Sequence, residues 1–301
     1  MARFLLLFVD GVGLAPASAT NPLATEPMPA LGGLLGGPLT SERVGAGDGW
    51  TLAALDATLG VPGLPQSATG QTALFTGENA SAILGRHVPA LPGPRLGALL
   101  AEHSVLLRAE RAGFAATFAN PFSPRYFEEV AARRRRHSAT TLAALAAAAP
   151  LRDLDDLAAG RACTWDVTRE SFREVEPSVV PVDAATAGRQ LAALAATHHL
   201  TLWETFMTDL AGHHRRGWTA AEALARLDGL LAGVFTARSP GLTVVLVSDH
   251  GNLEESEHRS HTRNPVPLLA VGPAAGSLAD LTRIDRLAPR LLELLAAGAE
   301  R

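Results

Sequence analysis

Short apolar runs of β-forming residues alternate along this chain with longer alanine- and leucine-rich stretches, and no other feature narrows its fold so much. Parallel strands joined by crossover helices produce that pattern, because such strands are buried on both faces and helices must cover them. Strands are expected at 3–9, 114–119, 200–207, 243–248 and 267–271. Helices are expected at 71–76, 95–102, 127–136, 140–149, 185–197, 220–238 and 289–297. Two regions break the alternation. Residues 11–49 are rich in glycine and proline and read as a long loop, whereas 121–183 turn more polar and read as an inserted cap on a core formed by 1–120 and 184–301.

With 301 residues and 47% hydrophobic content, the chain is long enough for one large α/β domain or a core plus a small accessory unit. Its formal charge of −4 argues against a nucleic-acid partner, which calls for a basic face. Apart from histidine every basic side chain is arginine, which removes lysine chemistry from consideration. Cys163 is the only cysteine, so neither a disulfide within the chain nor a thiolate zinc cluster can form, and a cytoplasmic location is the expectation. The opening apolar run is short, stops at Asp10 and lacks a small-residue cleavage site; a first strand explains it better than a leader. No apolar run approaches the roughly 20 residues of a membrane helix, so no membrane partner is expected.

The ends of the strands are chemically distinctive. The 243–248 run ends in Asp249 and His250, a carboxylate and an imidazole at the carboxyl edge of a sheet, where open α/β folds put their ligands. Three other segments supply groups of the same kind. Asp10 closes the first apolar run, Asp209 and His213 share a helix face at i, i+4 spacing, and His261 precedes Pro265-Val266-Pro267. Each alone has a plain explanation: Asp10 as a turn former, Asp209 as a helix cap, His213 and His261 as surface residues. Taken together, oxygen and nitrogen donors from four segments point to a dinuclear metal site.

Ser67 lies in Pro65-Gln66-Ser67-Ala68-Thr69-Gly70, on a loop immediately before a helical pattern. There its hydroxyl can cap the helix, meet the positive end of the helix dipole and receive a phosphate. Asn252 and Glu254 stand where they can orient ligands, and His258 shares a loop with His261. Tyr126, Trp165 and Phe172 are candidates to line the cap, and Arg125 with arginines 133–136 to touch a substrate phosphate from it.

The segments Phe8-Val9-Asp10-Gly11, Ser67-Ala68-Thr69-Gly70-Gln71, Asp209-Leu210-Ala211-Gly212-His213, Asp249-His250-Gly251-Asn252 and His261-Thr262-Arg263-Asn264-Pro265 resemble, in that order, the motifs of the alkaline phosphatase superfamily. The closest likeness is to the cofactor-independent phosphoglycerate mutases and phosphopentomutases, and it spans most of the chain. The resemblance implies a doubly wound, mostly parallel α/β sheet with helices on both faces, interrupted by a small cap. It also implies that Asp10, Ser67, Asp249 and His250 surround one divalent ion while Asp209, His213 and His261 hold another, Mn2+ or Zn2+. Ser67 would be the catalytic nucleophile of a phosphoryl transfer through a phosphoserine. Gln71 stands where the mutases usually carry histidine, and their long second domain has no counterpart of comparable size here. Hydrolysis of a small-molecule phosphomonoester is therefore the expected activity. A phosphomutase, a phosphodiesterase and a non-catalytic metal-binding relative are the alternatives, in that order.

Overall fold

The computed structural model describes residues 1–148 and 150–299, so the expected helix end at 149 and core boundary at 301 lie outside the described residues. Among the described residues seven strands, β1 (Arg3–Val9), β2 (Gly45–Gly47), β3 (Trp50–Leu55), β4 (Ala116–Phe118), β5 (Leu200–Thr205), β6 (Leu242–Val247) and β7 (Val266–Val271), form one sheet in the order β2-β3-β7-β6-β1-β5-β4. β1 lies between β5 and β6 and pairs with both in parallel, and β4 continues in parallel beyond β5. On the other side β7 runs antiparallel to β6, β3 to β7 and β2 to β3, so five of the seven strands point one way. The sheet is mixed and mostly parallel.

Side-chain alternation explains the layers. On β1, Phe4, Leu6 and Phe8 join one apolar cluster while Leu5, Leu7 and Val9 join the other, and all six are buried. Helices Ser67–Thr76, Pro94–His103, Ala139–Ala146 and Leu287–Ala299 feed the first cluster; Pro29–Leu35, Ala184–Ala195 and Ala220–Ala237 feed the second. Helices on both faces make the fold doubly wound, as expected. Among the described residues no helix is long and apolar enough to cross a membrane.

Two expectations about segments change. Residues 11–49 are not a plain loop: they hold helices Pro22–Thr25 and Pro29–Leu35, a tight turn at Ser41–Arg43, and β2. Asn21 Oδ1 accepts the Leu23 N–H at 3.0 Å, and Pro22 presets the first helical φ. The second helix is capped from a distance, since Asp228 accepts the N–H groups of Ala30 and Leu31 at 3.0 and 2.9 Å. Leu23, Leu31 and Leu35 then bury against the second face. The helix expected over 127–136 runs instead over Pro124–Ala131, where Pro124 starts it; Arg133 at φ +57° lies past its end, leaving arginines 133–136 on irregular backbone. Within 121–183, Phe122, Ala139 and Ala143 pack into the first cluster and Cys163 and Val167 into the second, while Leu157, Ala162 and Val179 form a small cluster of their own.

Candidate metal centre

Separate segments deliver the expected ligands to one edge of the sheet. Asp10 follows β1, and its N–H donates to Thr205 O at 3.0 Å, so the ladder carries on through it. Gly11 beside it adopts φ +73°, and a Cβ there would stand 2.8 Å from that of Asp209, so glycine lets the two segments touch. Asp209 sits in the first turn of the Met207–Gly212 helix just after β5, and His213 follows at the end of that helix. Asp249 and His250 directly follow β6, and His261 stands in the connection to β7. Ser67 opens the buried helix Ser67–Thr76, with Gln66 rather than Ser67 in the capping position. Gly70 in that helix leaves room for the Asp249 carbonyl, which a Cβ would meet at 2.9 Å.

The structure brings all seven side chains together. Ser67 Oγ lies 3.0 Å from His250 Nε2, which is 3.2 Å from Asp10 Oδ1 and 3.6 Å from Asp249 Oδ2. The His250 ring stacks on His261 with 3.7 Å between centroids. His261 Nε2 is 3.1 Å from His213 Nε2, and Asp209 Oδ1 lies 3.3 Å from the His213 nitrogen and 3.8 Å from that of His261. Donor atoms converge as two trios, Asp10 with Asp249 and His250, and Asp209 with His250 and His261. His250 is thus within reach of both, whereas the resemblance implies that it serves one. His213 stands beside the second trio through Asp209 and His261.

Charge and hydrogen bonding fit divalent cations here. Among the described residues both carboxylate oxygens of Asp249 are buried and accept no hydrogen bond, and Asp10 Oδ1 is buried with the His250 imidazole 3.2 Å away. Carboxylates buried without donors are costly, and a cation between them removes that cost. Burial pushes the Asp249 carboxyl up to about 7. Burial, then the charges of Asp249 and Asp209, raise Asp10 well above the usual carboxylate range. Each imidazole turns Nδ1 to a backbone carbonyl: His213 to Arg259 at 2.7 Å, His261 to Pro65 at 2.9 Å and His250 to Gly251 at 3.3 Å. An Nδ1–H that donates there leaves the Nε2 lone pair facing the cluster, as a metal ligand requires. At Asp209 burial is outweighed by His213, His250 and Asn252, which hold the carboxyl down to about 2. Burial, with the charge of His250 next, drives His261 down to about 4, while its hydrogen bond to Asp209 raises His213.

A buried scaffold holds these side chains. Glu254 accepts from the N–H groups of Gly13 and Asn252 at 2.9 and 2.8 Å, from Asn264 Nδ2 at 3.1 Å and from the Thr262 hydroxyl. One carboxylate thereby ties the loops after β1 and β6 to the segment holding His261. Asn252 Nδ2 donates to Asp209 Oδ1 at 2.9 Å, and Gln71 Nε2 to Asp10 Oδ2 at 3.3 Å. His258 turns away to the Glu255 carboxylate at 2.7 Å.

A cavity of about 690 Å³ opens beside the cluster, lined by Asp10, Ser67, Gln71 and Asp209. Tyr126, Trp165 and Phe172 line it as expected, with arginines 133–136, Phe118, Phe122 and Phe206. Arg125 does not, because its guanidinium pairs with Glu129 at 3.0 Å one helical turn away. Glu204 also lines the cavity and is not among the expected site residues. Its signal is legible all the same: β5 turns Leu200 and Leu202 toward the first apolar cluster and puts an acid at the next position on that face.

Comparison with known proteins agrees with this geometry. Among curated proteins the chain is similar to 2,3-bisphosphoglycerate-independent phosphoglycerate mutases. It is 37% identical over 95 residues to that of Cereibacter sphaeroides (29% of this chain, 19% of the relative) and 34% identical over 95 residues to that of Coxiella burnetii (29% and 18%). The match thus spans under a fifth of those relatives' length. Among solved structures it is similar to the PH0037 protein from Pyrococcus horikoshii, with TM-score 0.59 and 14% identity over 98% of this chain and 97% of that one. It is also similar to a cold-active alkaline phosphatase from the psychrophile Shewanella sp., with TM-score 0.52 and 13% identity over 96% and 99%. The alkaline phosphatase of the Antarctic bacterium TAB5 gives TM-score 0.50 and 11% identity over 98% and 99%. At such identities these three show a common fold. Residues 2–297 match the family described as the Metalloenzyme superfamily, a span that takes in every segment contributing to the cluster, and the chain belongs to that superfamily.

Proposed function

We propose that this chain transfers phosphoryl groups through a phosphoserine on Ser67, with water as the second acceptor, and so hydrolyses small phosphomonoesters. The observation that carries this reading is the position of the Ser67 hydroxyl, at the start of a buried ten-residue helix and 3.0 Å from His250 inside the ligand cluster. A serine hydroxyl is a poor nucleophile at neutral pH, and a helix N-terminus favours negative charge on its oxygen and on an incoming phosphate. Asp10, Asp249, His250 and Ser67 are suited to hold one divalent ion, and Asp209, His213 and His261 another, Mn2+ or Zn2+. Such ions, when bound, neutralise charge on the serine, phosphoryl and leaving oxygens. In the first step deprotonated Ser67 Oγ attacks phosphorus; the Oγ–P bond forms as the ester P–O bond breaks, and the bonding pair leaves with the alcohol oxygen. In the second, a water oxygen attacks phosphorus and Ser67 Oγ is the leaving group. Gln71 and Asn252 fix the carboxylates of Asp10 and Asp209 through both steps. Segment 121–183 acts as a cover: its Phe122, Tyr126, Trp165 and Phe172 wall one side of the cavity beside Ser67.

A phosphomutase is the second reading, favoured by the similarity to phosphoglycerate mutases. There a hydroxyl of the retained product takes the place of water. A panel of phosphomonoesters assayed with Mn2+ or Zn2+, following free phosphate and isomerised product separately, tests both. Phosphate release is expected. Isomer without release assigns the mutase, and neither product from protein that binds two ions overturns the whole reading.

A further inference from the structure

Glu204 sits where the period of β5 calls for a leucine, and such breaks of local pattern concentrate at functional sites. The fold holds it there deliberately. The Asn120 side chain pairs twice with the Glu204 backbone, Nδ2 donating to its carbonyl and Oδ1 accepting its N–H, both at 2.9 Å. A side chain thus continues the β4–β5 ladder past Phe118 and fixes Glu204 at the sheet edge. The carboxylate receives the Thr140 hydroxyl, and Ser138 Oγ lies 2.7 Å behind Thr140 Oγ1. Among the described residues no basic side chain pairs with it. Burial pushes the carboxyl up to about 7.

Glu204 faces the same cavity as Ser67. Aromatic rings surround that space: Phe122 lies 4.9 Å from Tyr126 and 6.0 Å from Phe118, and Phe206 stacks on Trp165 at 4.2 Å. A carboxyl without a cation among aromatic faces is the complement of an organic cation, which the rings attract and which keeps the acid ionised. A hydroxyl would satisfy the same oxygen through a weaker, neutral hydrogen bond. A carboxylate on the ester would meet like charge at Glu204 and turn instead to the exposed, solvent-screened arginines 133–136.

Resting on the phosphoserine reading, we propose that Glu204 and its aromatic neighbours form the subsite for the alcohol half of the phosphoester, and that its preferred occupant is an aminoalkyl group. The test compares 3-aminopropyl, 3-hydroxypropyl, n-butyl and 2-carboxyethyl phosphate on the metal-loaded full chain. Wild type is expected to favour the amino over the butyl ester about tenfold or more in kcat/KM, the scale of one charge-assisted hydrogen bond, with the hydroxy ester between. In Glu204→Gln, and in Glu204→Leu, which completes the apolar face of β5, that ratio is expected to fall to about one. An unchanged ratio in both variants, a wild-type preference for the carboxyethyl ester, or a change in the number of bound ions on substitution would overturn the subsite. Should wild type turn over no ester, the phosphoserine reading fails by itself, and calorimetry decides the subsite separately. Tighter binding of 3-aminopropylphosphonate than of butylphosphonate, lost in Glu204→Gln, supports it, and equal binding overturns it.

Discussion

Asp10, Asp249 and His250 are buried throughout, whereas Asp209 and His261 of the second trio are partly open, and the two sets hold their charges differently. In the inner trio Asp10 Oδ1 and both Asp249 oxygens lack donors among the described residues, and burial raises both acids. In the outer one, His213 and Asn252 already sit on Asp209, whose carboxyl stays near 2. The inner set is electrostatically incomplete without a cation, and the outer set is largely satisfied by its neighbours. Similar ligand types therefore depend on an ion to different degrees, and burial sets the degree.

Ser67→Ala probes the inner trio where it meets the hydroxyl. Turnover is expected to fall on the order of a millionfold, the scale on which loss of a covalent nucleophile is felt, with both ions retained by elemental analysis. An unchanged rate removes Ser67 from its role. Glu254→Ala cuts the scaffold that both trios share, and chelator competition is expected to show each ion held about 10–100-fold more weakly. Weakening at only one trio would show that the scaffold is not shared.

The contrast itself is tested in metal-free protein by thermal melts of two isosteric variants. Asp249→Asn removes an uncompensated buried acid and is expected to raise Tm. Asp209→Asn leaves Asn252 a neutral acceptor and removes the charge that pairs with His213, and is expected to cost about 1–3 kcal/mol. Shifts of the same sign would erase the distinction between the trios. The smallest effect is on pH dependence. Folded Asp249 and Asp10 keep protons that the unfolded chain releases, so metal-free stability falls as pH rises from the ordinary 3.8 toward about 7. His261, held near 4 against an ordinary 6.5, acts in the opposite sense over that interval, while the raised His213 and His250 act with the carboxyls as pH climbs past 6.5. Metal-free Tm is thus expected to drop more steeply than metal-loaded Tm between about pH 6 and pH 8, the raised Glu204 adding a common slope to both; equal slopes would contradict the burial argument.

Legibility followed the physics of each element. β1 and β6 are readable to within a residue because fully buried apolar runs stop abruptly at polar ligands. β2 and β3 escape because Gly45, Ala46 and Gly47 carry no strand propensity, although Asp48-Gly49 between the paired Gly47 and Trp50 is a hairpin signal. The reversed direction of β7 is not written in its pattern, since an apolar run reads alike both ways. Asp10, Asp249 and His250 stand out because they closely follow strand ends, and Asp209 with His213 through their spacing on one helix. That His250 reaches both trios depends on a ring stacked across two loops, which spacing along the chain does not encode. The hydrogen-bond hub at Glu254 is hidden for the same reason, while Glu204 betrays itself through a broken alternation.

Because β7 turns back beside β6, the stretch between them leaves and rejoins the sheet at the same edge. Asp249, His250, Asn252, Glu254 and His261 all ride on that one excursion. Rewriting only the residues between Val247 and Val266 would exchange three of the seven clustered side chains, with Asn252 and Glu254 that brace the cluster, while every strand kept its neighbours. This excursion is therefore a natural cassette through which new reactivity can evolve on an unchanged framework.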